Sequence, residues 1–413
     1  MTQAFLYMLR LLNSVTNDIQ PPLPPLQTDW DEVYEEANAH RLLPLIYRKT
    51  MELSDVNRPE NATVLQWKRN VVEDGLKQMY QNSYLQQVLE RMESEGIRVL
   101  LLKGLTLACL YPQVADRETV DADFLVPEES RERAADVFRS LGYEFMAEGS
   151  NDNEDTYTNG VLKMEMHTRL WEESAGERFE KLNALGIGHI SDAVGISVDG
   201  KIIWTMPPQE TIFYLMYHMI KHFFVCGIGV RYLSDVTLYV KHYSKDIDWG
   251  KFWRDIELMG YTSFTRCMLY LCAEHLGMDL ESVAMLAISE EEISTAEKLL
   301  EDMAEGGHNG RRTLVRYKAG RVLRIYYENE DSKLPRSKLE ILKRLFFPNR
   351  EELANRKTMQ AEYSKVIVVA WFQNLAFLYR RWRELRKERC SISSRVNCAQ
   401  ERLGLMHGLG LIG

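Results

Sequence analysis

The sequence has no uninterrupted run of about 18 uncharged apolar residues, the length that a helix needs to cross a bilayer. Its first segment, residues 1–15, is apolar, but Arg10 interrupts it and no cleavage site of small residues follows. A signal peptide is therefore not expected, and an amphipathic first helix is the better interpretation. These absences predict a cytoplasmic protein without a membrane span.

Cysteine is scarce and follows no pattern. None of the six cysteines belongs to a Cys-x-x-Cys pair, and their spacing matches no disulfide framework. Such cysteines are typical of reduced thiols in the cytoplasm, and they do not predict a zinc site. The sequence also lacks internal repeats and low-complexity blocks, and its 413 residues suffice for two or three domains with cores of their own.

Excess positive charge is absent from the chain as a whole, whose net charge is −9, and this argues against general binding to nucleic acid. The charge is unevenly distributed, because residues 306–390 carry 21 Lys/Arg against 9 Asp/Glu. This basic region has two interpretations. It is either the solvated face of ordinary helices or a docking surface for an anionic acceptor such as RNA.

The hydrophobic pattern changes period along the chain and predicts an α+β fold. Residues 1–95 have helical spacing, broken early by four prolines at 21–25, and helical spacing returns after residue 207. Between them lies a small mixed sheet with helices. We therefore expect an N-terminal helical region (1–95), an α/β core (96–206), a larger C-terminal helical domain (207–390) and a flexible tail (391–413).

The expected core alternates apolar strands with short helices. Asn159-Gly160 and Asp199-Gly200 are strong hairpin signals. The predicted strands and helices of the core are Ile97–Leu102, Leu105–Tyr111, Asp121–Val126, Glu128–Leu141, Tyr143–Met146, Asp155–Thr158, Val161–His167 and Lys201–Thr205.

Apolar stripes predict the helices of the C-terminal half. These are Thr211–Phe224, Arg231–His242, Trp249–Met259, Ser263–Leu276, Glu290–Glu305, Leu339–Phe347 and Val366–Arg389.

Two aspartates stand one residue apart in the second predicted strand of the core. Because side chains alternate along a strand, Asp121 and Asp123 share one face, roughly 7 Å apart at the backbone. Glu165 is an isolated acid on the polar face of a later strand, which it shares with Lys163 and His167. Carboxylate oxygens suit Mg²⁺, although an Asp-x-Asp strand taken alone is more often the solvent-facing side of an edge strand.

A Lys-Gly turn follows the first core strand. Gly104 lets a backbone approach phosphate closely, and Lys103 and Arg117 could neutralise phosphate charge. On a later helix His218 and His222 are spaced i, i+4, but the sequence HMIKH lacks the glutamate of a metalloprotease motif. Packing or a substrate contact is the better interpretation of these histidines. Arg231 and Asp235, also one turn apart, could form a local ion pair.

The succession of these motifs resembles the polymerase-β-like nucleotidyltransferase superfamily. The segments LLKGLTLACLYP, DADFLV and MEMHTRLW, with Arg117 between the first two, resemble more closely the bacterial family of uncharacterised nucleotidyltransferases. Helical segments further on, PPQETIFYLMYHMIKHF, VRYLSDVTLYV, DWGKFW and LFFPNREEL, extend the resemblance over roughly residues 35–380. The chain departs from the superfamily at Leu105, where a serine or glycine is usual, and at Ala122, where a branched residue is usual.

The resemblance implies roles for individual residues. Asp121, Asp123 and Glu165 would bind Mg²⁺, with Mn²⁺ as the alternative ion, and Lys103 and Gly104 would form the turn that holds the triphosphate. His222, Arg231 and Asp235 would line the cleft between the two halves. For His167 three roles stay open: it could orient Glu165, contact the substrate, or be a structural histidine whose hydrogen bonds are satisfied within the protein.

These observations predict an Mg²⁺-dependent nucleotidyltransferase. It would transfer a nucleoside monophosphate from a nucleoside triphosphate such as ATP to a hydroxyl acceptor, a small molecule or a protein, and release pyrophosphate. The alternative is a non-catalytic nucleotide-binding or regulatory module on the same fold.

Overall fold

The computed structural model shows helices on both sides of a small mixed sheet. The residues that it describes are 1–151, 153–171, 177–285, 287–308, 310, 312–313, 315–316, 319–320, 323, 343, 346–348, 366–385 and 392–412. The strands are β1 Leu100–Leu101, β2 Asp121–Leu125, β3 Glu144–Asn151, β4 Glu154–Thr158, β5 Lys163–His167, β6 Val194–Val198 and β7 Lys201–Thr205. Helices of the N-terminal half are α1 Gln3–Thr16, α2 Trp30–Ala39, α3 Leu43–Met51, α4 Asn61–Ser94, α5 Leu105–Ala108, α6 Arg131–Ser140 and α7 Glu177–Ala184. Those of the C-terminal half are α8 Pro208–Val225, α9 Arg231–Tyr243, α10 Trp249–Leu258, α11 Thr262–Leu276, α12 Glu290–Gly306, α13 Ile367–Leu385 and α14 Ile392–Gly408.

Five strands form the main sheet in the order β1-β2-β5-β4-β3, in which only β2 and β5 are parallel neighbours. The strands β6 and β7 form a separate two-stranded sheet. Both predicted hairpins are present. In the second, Asp199 and Gly200 have φ of 49° and 79°, as a two-residue turn with two left-handed positions requires. The predicted α+β fold with a small mixed sheet is confirmed.

The two faces of the main sheet contribute to different cores. On one face the apolar side chains of β2 and β5 pack with α6 and the second half of α4. Phe138 of α6 stacks on Tyr157 of β4 with ring centroids 4.5 Å apart. On the other face Leu100 and Leu125 join the core of the C-terminal helices. Along β2 and β5 the polar side chains alternate with the apolar ones that pack on α6 and α4, so they lie on the opposite face, toward α8.

The N-terminal helices do not form a core of their own. Buried residues of α1, α2 and α3 belong to the same core as those of α8, α9 and α11. The Thr16 hydroxyl and the Asn17 side chain donate hydrogen bonds to the Leu276 carbonyl at the end of α11, at 3.2 and 2.9 Å. The helices at the start of the chain are thus part of the C-terminal helical layer.

Several predicted boundaries differ from the observed ones. The first core strand is paired over only Leu100–Leu101, and the helix after Gly104 ends at Ala108 instead of Tyr111. A 3-10 turn precedes α6. The largest difference is at the C-terminus, where the predicted flexible tail contains α14, whose apolar residues are buried. Gly404 and Gly408 lower the helix propensity of this segment, so the packing of its apolar stripe is what stabilises the helix.

Part of the chain falls outside the described residues. Most of the predicted helix Leu339–Phe347 and most of the basic region 306–390 lie there, so the RNA-docking interpretation stays a prediction. Among the helices that the structure does describe, none is long and apolar enough to cross a membrane.

Candidate active site

The site is built on the two parallel strands at the centre of the sheet. Asp123 of β2 and Glu165 of β5 are direct partners in the parallel register, so their side chains point to the same face. His167, two residues beyond Glu165, shares that face. The carboxylate of Asp123 is nearly buried, with 3% of the residue exposed. Sequence alternation thus predicted which side chains meet here, and the register places them level with one another.

Three side chains offer ligand atoms that lie together. One atom each from Asp123, Glu165 and His167 lies within 4.8 Å of the other two. Asp121 does not belong to this group, although it occupies the start of β2 on the same face. The observed group therefore contains the imidazole of His167 where the sequence predicted the carboxylate of Asp121.

Two atoms of this group are buried without a hydrogen bond. They are His167 Nε2 and Asp123 Oδ2, the second of which is within ion-pair distance of Lys103 Nζ, at 3.2 Å. His167 Nε2 lies 3.6 Å from Asp123 Oδ1, and His167 Nδ1 lies 3.9 Å from Glu154 Oε2. Buried polar atoms normally have partners. Two carboxylates and an imidazole with unsatisfied atoms fit a divalent cation bound through oxygen and nitrogen.

Lysine side chains lie next to the carboxylates. Lys103 Nζ is 3.2 Å from Asp123 Oδ2, and Lys163 pairs with Glu165. Burial works against the charged form of Lys103, but Asp123 and Asp121 outweigh it and raise the pKa above the usual lysine value. Burial alone would raise the pKa of Asp123, but Lys103 and His167 bring it below the usual aspartate range. Both groups are therefore charged at neutral pH.

The turn after Lys103 requires glycine. Gly104 has φ of +78°, in the region that side chains disfavour. A Cβ at this position would meet Thr119 Cγ2 at 3.3 Å. Leu105, the departure noted in the sequence, is buried in the core of the sheet and does not face the site.

Arg117 is engaged with protein groups. Its Nε and Nη2 atoms donate to the two carboxylate oxygens of Asp235, at 2.7 and 3.0 Å, and its Nη1 atom donates to the Gly104 carbonyl at 3.3 Å. The Tyr111 hydroxyl donates to the same carboxylate at 2.7 Å. These contacts give Arg117 and Asp235 a role in holding the glycine turn. Direct binding of phosphate by Arg117 and a cleft position for Asp235 remain predictions.

The expected ion pair between Arg231 and Asp235 is replaced by other contacts. Arg231 donates to the Glu118 carbonyl at 2.5 Å and lies 3.0 Å from His308 Nε2. The carboxylate of Asp235 instead pairs with Arg117, since Arg117 reaches it with two parallel N–H groups. The side chains of Arg117, Arg231, Asp235 and His308 are all buried.

A family model for uncharacterised nucleotidyltransferases matches residues 27–277, more than half of the chain. The chain belongs to this nucleotidyltransferase family. The match contains the Lys-Gly turn, the carboxylates of β2 and β5, and α8 through α11. The segment LFFPNREEL, at 345–353, lies outside it.

Two other comparisons add little. A solved structure, the solution structure of the antibiotic-resistance factor ANT(2'')-Ia, is similar with 14% identity and a TM-score of 0.33, over 48% of this chain and 97% of that chain. A TM-score this low does not by itself establish a shared fold or activity. A comparison with curated proteins found no match.

The structure adds Glu154 and a small pocket to this nucleotidyltransferase site, and it gives His218 a contact that the sequence did not predict. Glu154 is brought to the site face of β4 opposite His167. His218 contacts Lys103, with 2.6 Å between its Nε2 atom and Lys103 Nζ. A small pocket beside the carboxylates is lined by Asn153, Glu154, His167, Arg169, Leu170, Tyr214, Tyr217, His218 and Lys221. Alternation along β4 could have suggested Glu154, whereas nothing local links α8 to the Lys-Gly turn.

Proposed function

We propose that this chain is a metal-dependent nucleotidyltransferase that transfers a nucleoside monophosphate from a nucleoside triphosphate to a hydroxyl group. The family supports nucleotidyl transfer. The ion, the nucleotide and the class of acceptor are the proposal. A small-molecule hydroxyl or a protein side chain would fit the acceptor role.

One observation carries the proposal. Asp123 and Glu165 are level with one another on parallel strands, and with His167 they present ligand atoms within 4.8 Å. Asp123 and Glu165, with His167 beside them and Asp121 at the edge, would hold Mg²⁺ or Mn²⁺. When bound, the ion would supply positive charge to phosphate oxygens on which the transition state concentrates negative charge.

The protein groups then position the reactants. The acceptor oxygen attacks the α-phosphorus, the bond from that phosphorus to the bridging oxygen breaks, and pyrophosphate leaves with the bonding electrons. Glu165 is the proposed acceptor of the hydroxyl proton, because it lies beside Asp123 on the site face. Lys103, whose ammonium is charged and nearly buried, neutralises a phosphate oxygen. The open glycine turn lets the triphosphate approach the backbone.

Pyrophosphate release tests the proposal. Purified protein is assayed with each nucleoside triphosphate, with Mg²⁺ or Mn²⁺ and a panel of hydroxyl acceptors. Asp123→Asn should lose about a hundredfold or more of the turnover. Asp155→Asn is the matched control, because Asp155 lies on the opposite face of the same sheet and pairs with Arg131 at 2.9 Å. Equal turnover in wild type and Asp123→Asn would contradict the assignment.

A binding module without catalysis is the second candidate. It is favoured by the lysines at the carboxylates, because Lys103 and Lys163 already compensate the charge of Asp123 and Glu165. Calorimetry with ATP, with and without Mg²⁺, separates the two candidates. Tight binding that needs no metal, with no pyrophosphate released, would favour the module.

A further inference from the structure

We propose that His218 is a positioning residue that holds the ammonium of Lys103 beside the carboxylates, ready to contact the triphosphate of the substrate. This inference rests on the proposed function, since the triphosphate is its ligand. It gives His218 of α8 a defined contact with the lysine of the glycine turn.

The contact geometry sets the direction of the hydrogen bond. Lys103 Nζ lies between Asp123 Oδ2, at 3.2 Å, and His218 Nε2, at 2.6 Å. An ammonium group only donates hydrogen bonds, so His218 Nε2 must be the acceptor. Its ring is then neutral and carries its proton on Nδ1.

The surroundings of His218 favour this neutral form. Burial is the main reason that the pKa of His218 is well below the usual histidine value, and the charge of Lys103 lowers it further. His222, one turn further along α8, brings its Nε2 atom to 3.1 Å from His218 Nε2. The Tyr214 ring lies on the other side, with its centroid 5.9 Å from that of His218. Both neighbours restrict the orientation of the imidazole.

The need for such a residue follows from the chemistry of lysine. A lysine side chain is flexible, and fixing it costs conformational entropy. Lys103 emerges from a turn, whereas His218 is fixed in the middle of an 18-residue helix. A rigid acceptor on α8 thus fixes a flexible donor in the turn after β1, and it keeps Lys103 in place when a substrate oxygen competes with Asp123 for the ammonium.

Nuclear magnetic resonance tests the contact without any turnover. Protein labelled with ¹⁵N-histidine distinguishes protonated from unprotonated ring nitrogens, and the His218 signals are assigned by their loss in His218→Gln. We expect an unprotonated Nε2 in wild type whose shift changes in Lys103→Met. A protonated Nε2, or a His218 spectrum that is the same in Lys103→Met, would overturn the proposal.

Kinetics test the consequence. His218→Leu should raise KM for the triphosphate and lower kcat/KM by roughly tenfold to a hundredfold, the range for hydrogen bonds to charged groups. His218→Gln should recover most of this loss, since its amide oxygen can accept from Lys103. The exposed His242→Leu on α9 is the control and should match wild type.

The two proposals fail in different ways. Wild type that releases no pyrophosphate with any triphosphate refutes the proposed function, and the ¹⁵N spectra still decide the contact between His218 and Lys103. Active wild type with an unchanged KM in His218→Leu refutes the positioning role alone. Failure of His218→Gln to recover activity while it remains folded would also count against that role.

Discussion

At the scale of single residues, the candidate site combines acidic side chains with basic ones that compensate their negative charge. Four carboxylates, those of Asp121, Asp123, Glu154 and Glu165, lie on one face of the sheet with Lys103, Lys163 and His167 among them. Buried charges of one sign are tolerated only with compensating partners. Lys103 and Lys163 provide this compensation, so a cation that bound Asp123 and Glu165 would compete with both lysines.

Glu165→Gln tests whether the carboxylate of Glu165 binds the metal ion. Removing the carboxylate should abolish the rise in melting temperature that Mn²⁺ produces in wild type, because ligand binding to the native state is what raises it. Differential scanning fluorimetry with and without Mn²⁺ measures the effect. Glu132→Gln, at an exposed position of α6, is the control. A full Mn²⁺ response in Glu165→Gln would rule out this ligand.

Asp235→Asn tests the buried pair with Arg117. Loss of the carboxylate leaves the guanidinium buried without its counter-charge, which costs about 3–5 kcal/mol of unfolding free energy. Urea denaturation measures this cost, with the exposed Asp136→Asn as control. A loss below about 1 kcal/mol, the value of a surface pair, would show that Arg117 finds another partner.

The same pair predicts a dependence on pH. Burial alone would raise the pKa of Asp235, but Arg117 lowers it below the usual aspartate value. The pair therefore stabilises the fold above the unfolded pKa of about 4, and this contribution is lost as the pH falls through the folded pKa. Stability measured between pH 6 and pH 3 should fall less steeply in Asp235→Asn than in wild type.

His40, which follows α2, predicts a second dependence of stability on pH, this time from a buried base. Burial and Arg312 lower its pKa to about 3, although Glu36 lies 3.8 Å away. The unfolded chain takes up the proton near pH 6.5 and the folded chain does not, so stability falls as the pH drops below 6.5. The slope attributable to His40 is about 1.4 kcal/mol per pH unit, and it should vanish in His40→Phe. Urea denaturation from pH 7.5 to pH 5 measures it.

At the scale of elements, α14 is the clearest departure from the sequence-based prediction. It packs against α12 and buries apolar side chains, and Arg402 donates to the Phe223 carbonyl near the end of α8. Those buried side chains are Val396, Ala399, Leu403 and Met406, and Leu409 is buried just after the helix. The helix thus supports the end of the helix that carries His218.

Truncation after residue 390 tests whether this segment is a flexible tail or a packed helix that stabilises the fold. Loss of these buried side chains should cost on the order of 5 kcal/mol or more, at about 1.5–3 kcal/mol for each large apolar residue. Thermal unfolding of the truncated chain should show a melting temperature lower by several degrees. An unchanged melting temperature would restore the prediction of a flexible tail.

At the scale of the whole molecule, the division predicted from sequence does not match the cores. The helices of residues 1–51 share a core with α8 through α12, and α4 connects the cores through Trp67 at one end and Leu85 and Val88 further along. Domains defined by contiguous segments therefore cut through packed surfaces. The boundaries of the folding units remain a prediction.

A fragment of residues 1–206 tests this organisation. It contains the predicted N-terminal region and sheet, but it lacks the helices that complete the core around α1 and α3. We expect it to aggregate or to unfold without cooperativity, as measured by circular dichroism during urea titration. A cooperative transition with native helical content would show that the N-terminal helices need no C-terminal partner.

The sequence predicted the parts of the site that depend on local periodicity. Alternation along β2 and β5 placed Asp123, Glu165 and His167 on one face, and Gly104 indicated a turn that other residues adopt at a cost. The same reasoning did not reveal the partner of Arg117 or the helix after residue 391. Arg117 lies 118 positions from Asp235, and no local pattern reports a partner at that distance.

The sequence by itself thus determined the fold class, the faces of the strands and the identity of the acids, because each follows from neighbours a few residues apart. Only the tertiary structure decided which groups meet those acids. The parallel register that makes Asp123 and Glu165 level, the ammonium of Lys103 and the imidazole of His218 come from the sheet, the turn after β1 and the helix α8. Their meeting depends on packing between distant segments, which local propensity and periodicity do not encode.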